Sequence, residues 1–112
     1  MKQYTTPEQT AKLIELGFEK PKSIIDVLGA HETDIDMEYV YEYSYSIGEL
    51  IAMLPEIHPS YHDPYCLDIG FDTINWIVGY SYNSGYVEVI SSCELIDALY
   101  DMIIMLKEEG VI

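Results

Sequence analysis

The sequence predicts an α+β domain, an antiparallel sheet of about four strands with helices packed on it, in the order α-β-α-β-β-β-α. Three observations lead there. Residues 37–46, MEYVYEYSYS, put Tyr39, Tyr41, Tyr43 and Tyr45 at every second position, the period of a strand with one face turned inward. Two β-branched, apolar runs meet through Asn83, Ser84 and Gly85, which reads as a hairpin. Helix patterns with marked ends open and close the chain.

The first helix, in TTPEQTAKLIELG, has Thr6 as N-cap, Pro7 at its first position, Gln9 completing a capping box and Gly17 as C-cap. Residues 19–36 read as irregular, with Pro21 opening and Gly29 closing a short apolar knot. After the tyrosine strand, SIGELIAMLP reads as a second helix capped by Ser46 with Glu49 three residues on, and Pro55 bounds it. A loop carrying Pro59 and Pro64 follows, then the strand runs CLDIGFD, TINWIVGYSY and YVEVISS. The last helix is expected to start at Ser91 or Ser92, with Glu94 as capping-box partner, and to end at Gly110.

With 112 residues, 49% of them hydrophobic, the chain is expected to form one globular domain over residues 1–112. Twenty Asp and Glu stand against five Lys and no Arg, a formal net charge of -15. Such a surface repels phosphate backbones and lacks the side chain best shaped for holding them, so direct nucleic-acid binding is not expected. Neither an apolar leader nor a run approaching about 20 apolar residues is seen, which points to a cytoplasmic protein without a membrane span. Cys66 and Cys93 are expected as free, buried thiols.

The tyrosine stripe opposes Glu38, Val40, Glu42, Ser44 and Ser46, so its rings should face the helices as a core wall with wet edges. In the hairpin, Ile74, Trp76, Val78, Tyr80 and Tyr82 share one side. The margins of these stripes, Tyr39, Tyr45, Trp76, Tyr80 and Tyr82, are candidate contact residues, since tyrosine and tryptophan bring rigid area with a polar tip. Between Leu95 and Leu106 only Asp97 and Asp101 are charged, leaving the last helix apolar nearly all round. A single sheet covers about half of such a helix. Ile96, Tyr100 and Ile104 therefore join the candidate interface, with a homodimer as the expected assembly.

Chemistry is sparse. His58, His62, Asp63, Cys66 and Asp68 fall close together in one loop, but their spacing matches no zinc motif and the expectation is ordinary surface histidines, with no metal and no cofactor. No nucleophile elbow, phosphate loop or activated cysteine is recognisable, so no catalytic residue is assigned and the chain is read as no enzyme.

LIELGF, YSIGELIAMLP, WIVGYSY and ELIDALYDMIIMLKEEGVI together resemble uncharacterised small proteins of prophages and conjugative elements of gut Bacteroidetes. The resemblance covers most of the chain, rests on fold-like apolar patterns, and implies a mobile-element setting with no functional residue to transfer. The resulting expectation is a non-enzymatic accessory interaction protein of a phage or mobile element that works by protein–protein contact and self-associates. The alternative is an acidic DNA-mimic inhibitor of a nuclease or defence complex, its surface drawn from Glu32, Asp34, Asp36, Glu38, Glu42, Asp97 and Asp101. A small-molecule binder using the aromatic sheet face trails both.

Overall fold

Local chemistry sets the helix starts. In the computed structural model, which describes residues 2–21 and 44–112, Thr6 Oγ1 accepts from the Gln9 amide while the Gln9 side chain accepts from the Thr6 amide, and Pro7 opens α1 (Pro7–Glu15). Gly17 then turns the chain at φ 100°, where a side chain would be strained. Ser46 and Glu49 form the same reciprocal cap at the head of α2 (Ile47–Met53). Ser46 also bridges Tyr4, tying the two helix entries together.

Three strands make an antiparallel meander in the order β1 (Cys66–Phe71), β2 (Trp76–Tyr82), β3 (Gly85–Ser92). Between β1 and β2 the Asp72 carboxylate accepts from the Ile74 and Asn75 amides at 3.1 and 2.7 Å, and these bonds hold its pKa below the usual value. Between β2 and β3, Asn83 and Ser84 both adopt positive φ, 48° and 65°, the hand of a two-residue turn that matches strand twist. Cross-strand pairs Leu67–Tyr80, Ile69–Val78 and Phe71–Trp76 share the inner face.

The β2–β3 register slips between Val78 and Tyr80. Val78 pairs with Ile90 and Tyr80 with Val87, so Glu88 and Val89 together oppose Gly79. Glu88 takes the strain of this bulge, with φ at 54°. Gly79 is required there: a Cβ on it would come within 3.2 Å of the Tyr86 ring and 3.3 Å of the Glu88 carbonyl oxygen.

α3 (Leu95–Glu108) lies on the inner face of the sheet and also packs against α2. Leu95, Ile96, Ala98, Leu99, Met102, Ile103 and Leu106 are all buried, and they join Val78 and Tyr80 of the sheet, Leu50 of α2, Leu54 just past its end, Leu13 of α1 and Tyr45 in one core. Fully burying each large apolar side chain of this kind contributes about 1.5–3 kcal/mol. The half of this helix expected to need cover beyond the sheet finds it within the chain. The sheet covers one side and the segments around α1 and α2 cover most of the rest, leaving Tyr100, Ile104 and Met105 half-buried.

Three expectations change. β3 runs on to Ser92, so α3 starts at Leu95; its N-cap is Glu94, which makes no side-chain cap, while Ser92 Oγ accepts from the Glu94 amide at 3.3 Å. Ile74 lies in the turn, 75% exposed, and not in the inner row of β2. Cys66 and Cys93 are free as expected but exposed. Among the described residues the sheet has three strands; most of the tyrosine run, residues 37–43, and most of the irregular segment, 22–36, lie outside those residues. No helix among the described residues is long and apolar enough to cross a membrane.

Candidate functional site

Two features of the surface carry chemistry beyond packing: a set of exposed apolar side chains on the sheet, and a cluster of His58, Glu88 and Glu109 at one end of α3.

The exposed set begins at the β1–β2 turn, where Ile74 and Phe71 are 75% and 55% exposed and Phe71 lies 5.1 Å, ring to ring, from Trp76. On the outer face of the sheet Tyr86 and Val89 are also about half exposed. The Tyr86 hydroxyl donates to Asp68 across the sheet at 2.7 Å, and that bond, more than the aspartate's charge, raises the tyrosine's pKa. Single exposed apolar side chains are ordinary on a protein surface; it is their grouping, Phe71 with Ile74 at the turn and Tyr86 with Val89 over Gly79, that points to contact.

Of the residues expected at an interface, Tyr45, Tyr80 and Ile96 are core residues and not contact residues, because each is buried within this chain. Tyr45 donates to the Glu19 carbonyl and Tyr80 to the Pro55 carbonyl, so each phenol reaches a fixed backbone acceptor. Trp76, Tyr82, Tyr100 and Ile104 are half-buried, and Tyr39 lies outside the described residues. Glu32, Asp34, Asp36, Glu38 and Glu42 of the acidic set also lie outside them. Asp97 is already engaged: Lys2 Nζ donates to it at 2.7 Å and Gln9 Nε2 at 2.9 Å. Asp101 is exposed, its pKa raised by desolvation and then by the charge of Asp97.

An open cleft of about 260 Å³ lies between residues 18–20 and α2, lined by Phe18, Lys20, Tyr45, Glu49 and Met53 among others. It is mostly apolar.

The histidine loop is organised differently from the sequence expectation. His62 and Cys66 are exposed, and the Cys66 thiol donates to the Pro64 carbonyl at 3.4 Å. His58 turns inward and is 2% exposed. Its amide donates to the Tyr65 carbonyl at 2.9 Å, and its ring stands edge-on between Tyr61 and Tyr80, at 4.7 and 5.1 Å. Ser60 N donates to Nδ1 at 3.2 Å, while Nε2 is buried without a partner.

Glu88 and Glu109 complete this corner. The bulge aims the Glu88 side chain toward the loop, where Tyr61 donates to its carboxylate at 3.2 Å, and Glu109 is the C-cap residue of α3. One donor atom each from His58, Glu88 and Glu109 lies within 4.8 Å of the others. Desolvation first, then the charge of Glu88 and a hydrogen bond with it, raise the Glu109 pKa, and His58 opposes the rise. Sequence reasoning missed both glutamates because they lie far from His58 along the chain. The available signal was Val87 and Ile90, two inward residues three apart in a strand, a spacing that requires an extra residue.

No family model matches the chain, and no solved structure matches it. Over 55 residues, 46% of its length, it is 34% identical to beta-1,4-galactosyltransferase 7 of Drosophila melanogaster. The chain covers 17% of that transferase.

Proposed function

We propose that the chain is a non-enzymatic accessory interaction protein of a phage or mobile element, acting in the cytoplasm by contact with another protein. The observation that carries this reading is the exposed pair Phe71 and Ile74 at one sheet corner, with Tyr86 and Val89 open on the outer face. On this reading the tyrosine run 37–46 adds a fourth strand to the sheet, giving the order α-β-α-β-β-β-α. Self-association belongs to the same reading, and on α3 it has only Tyr100, Ile104 and Met105 to draw on. A 17% share of a galactosyltransferase is too small a part to carry transfer activity to this chain.

The test is affinity capture of the tagged chain from cells that make it naturally, beside a Phe71→Ser/Ile74→Ser variant. One partner enriched by the parent and lost with the variant supports the reading; the same proteins recovered with both contradict it.

The acidic-mimic alternative is favoured by the charge of -15. It requires the captured complex to weaken steeply with salt, since exposed charges are screened within about 10 Å at 0.1 M. A complex held by the apolar corner changes little over the same range.

A further inference from the structure

We propose that His58, Glu88 and Glu109 bind one divalent transition-metal cation of the zinc class, which pins the 55–65 loop, the β3 bulge and the end of α3 to one another. A polar atom held in the interior without a partner is uncommon and calls for an explanation, and Nε2 of His58 is such an atom in a residue 2% exposed. Its ring has little freedom to turn toward water, because Tyr61 and Tyr80 flank it edge-on. Beside it stand two carboxylates from different elements, all three donors within 4.8 Å.

The charge at this corner points the same way. Glu88 and Glu109 meet at the C-terminal end of α3, where the last carbonyls carry partial negative charge and cations are favoured. Among the described residues no lysine pairs with either: Lys107 lies over the Phe18 ring and Lys2 is taken by Asp97. Two carboxylates and a helix C-terminus thus converge with no lysine among the described residues beside them, and only the His58 ring offsets their charge.

The donor set selects the metal. Imidazole nitrogen suits zinc and its neighbours, whereas magnesium and calcium prefer oxygen alone. Tetrahedral zinc with bonds of about 2.0–2.2 Å needs donors roughly 3.4 Å apart, so from separations of up to 4.8 Å the cluster must contract by up to about 1.4 Å. Glu109 is exposed and unbranched and can supply that movement. Three protein donors leave the fourth position to water. Binding at Nε2 uses the lone pair there, so the ring proton moves to Nδ1 and the long Ser60 contact of 3.2 Å is released. Tyr61, donating to Glu88, orients that ligand from outside.

The test is calorimetric titration of zinc chloride into the full chain, stripped with a chelator and carrying Cys66→Ser and Cys93→Ser to remove the two exposed thiols. The proposal expects one zinc ion per chain and a thermal midpoint that rises with zinc. Glu88→Gln and Glu109→Gln should each weaken binding by more than about tenfold, and Tyr61→Phe by about tenfold. His62→Asn should leave binding unchanged, and an equal concentration of magnesium should not compete. Glu109 is exposed, so its variant stays informative even where a His58 substitution unfolds the core. Absence of saturable uptake overturns the proposal, as does uptake unchanged in Glu109→Gln, lost in His62→Asn, or displaced equally by magnesium, the last being the mark of diffuse binding to an acidic surface.

Discussion

Replacing Tyr80 with phenylalanine isolates one hydrogen bond at the junction of sheet and loop. The Tyr80 ring is fully buried, and its hydroxyl donates to the Pro55 carbonyl at 2.8 Å, joining the end of α2 to the middle of β2. Phenylalanine keeps the ring and its packing against His58 while deleting the donor. A net hydrogen bond contributes about 0.5–1.5 kcal/mol, and an acceptor left wholly buried would cost about 1–3 kcal/mol. Pro55 is half-buried and the bond itself only partly so, and the lower range applies. Tyr80→Phe should therefore lose about 1 kcal/mol at neutral pH, or about 4 °C in thermal midpoint.

A second signature comes from titration. Desolvation pushes the Tyr80 pKa from its ordinary 10.0 up to about 12, so the folded chain keeps a proton that the unfolded chain releases first. Stability tied to this group is complete below pH 10 and is lost as pH rises toward about 12. The parent should fall more steeply than the variant across that window, by up to one proton, and the gap between them should close. Urea unfolding followed by circular dichroism, from pH 7 to pH 12, reads both effects. Equal stability at neutral pH, together with parallel pH slopes, would refute the reasoning.

Leu99→Ala, at a fully buried α3 position facing the core, should cost about 2–5 kcal/mol in urea unfolding, and a loss below about 1 kcal/mol would mean that the helix is not enclosed as described. Gly79→Ala should cost about 1–3 kcal/mol, because its Cβ meets the Glu88 carbonyl, a backbone atom that cannot swing aside; no change would deny the bulge. In Asp97, desolvation pushes the pKa up, but the hydrogen bonds from Lys2 and Gln9 and the lysine's charge outweigh it and hold the value below the usual 3.8. Asp97→Asn should thus lose under about 1 kcal/mol at pH 7, a gap fully present above pH 3.8 that closes as pH falls through the folded value; a gap constant to pH 2 would contradict the pairing.

Features written in neighbouring residues were legible in the sequence. Thr6 with Gln9 and Ser46 with Glu49 are local exchanges of donors and acceptors, so their helices begin where the pattern placed them. The hairpin at Asn83 and Ser84 and the helix end at Gly110 depend on local backbone preference and were readable for the same reason. The start of α3 was not, because Ser91 and Ser92 could cap a helix or finish a strand, and pairing with Ile77 and Trp76 decides for the strand. Burial of Ile96 and Tyr80 escaped notice because it depends on how α2 and Leu13 close over α3, a tertiary fact without a sequence period. The cluster of His58, Glu88 and Glu109 was least visible, since it is assembled by a bulge, a loop and a helix end that meet only in space.

On the proposed function, the chain works through contact at the exposed corner of its sheet. Amide hydrogen exchange of the chain alone and in complex with its captured partner tests this most directly. Contact there should give new protection over residues 70–76 and 85–90, the segments that carry Phe71, Ile74, Tyr86 and Val89, with α1 unchanged. Protection confined to α1 or to the far end of α3, with those two segments exchanging as in the free chain, would contradict it.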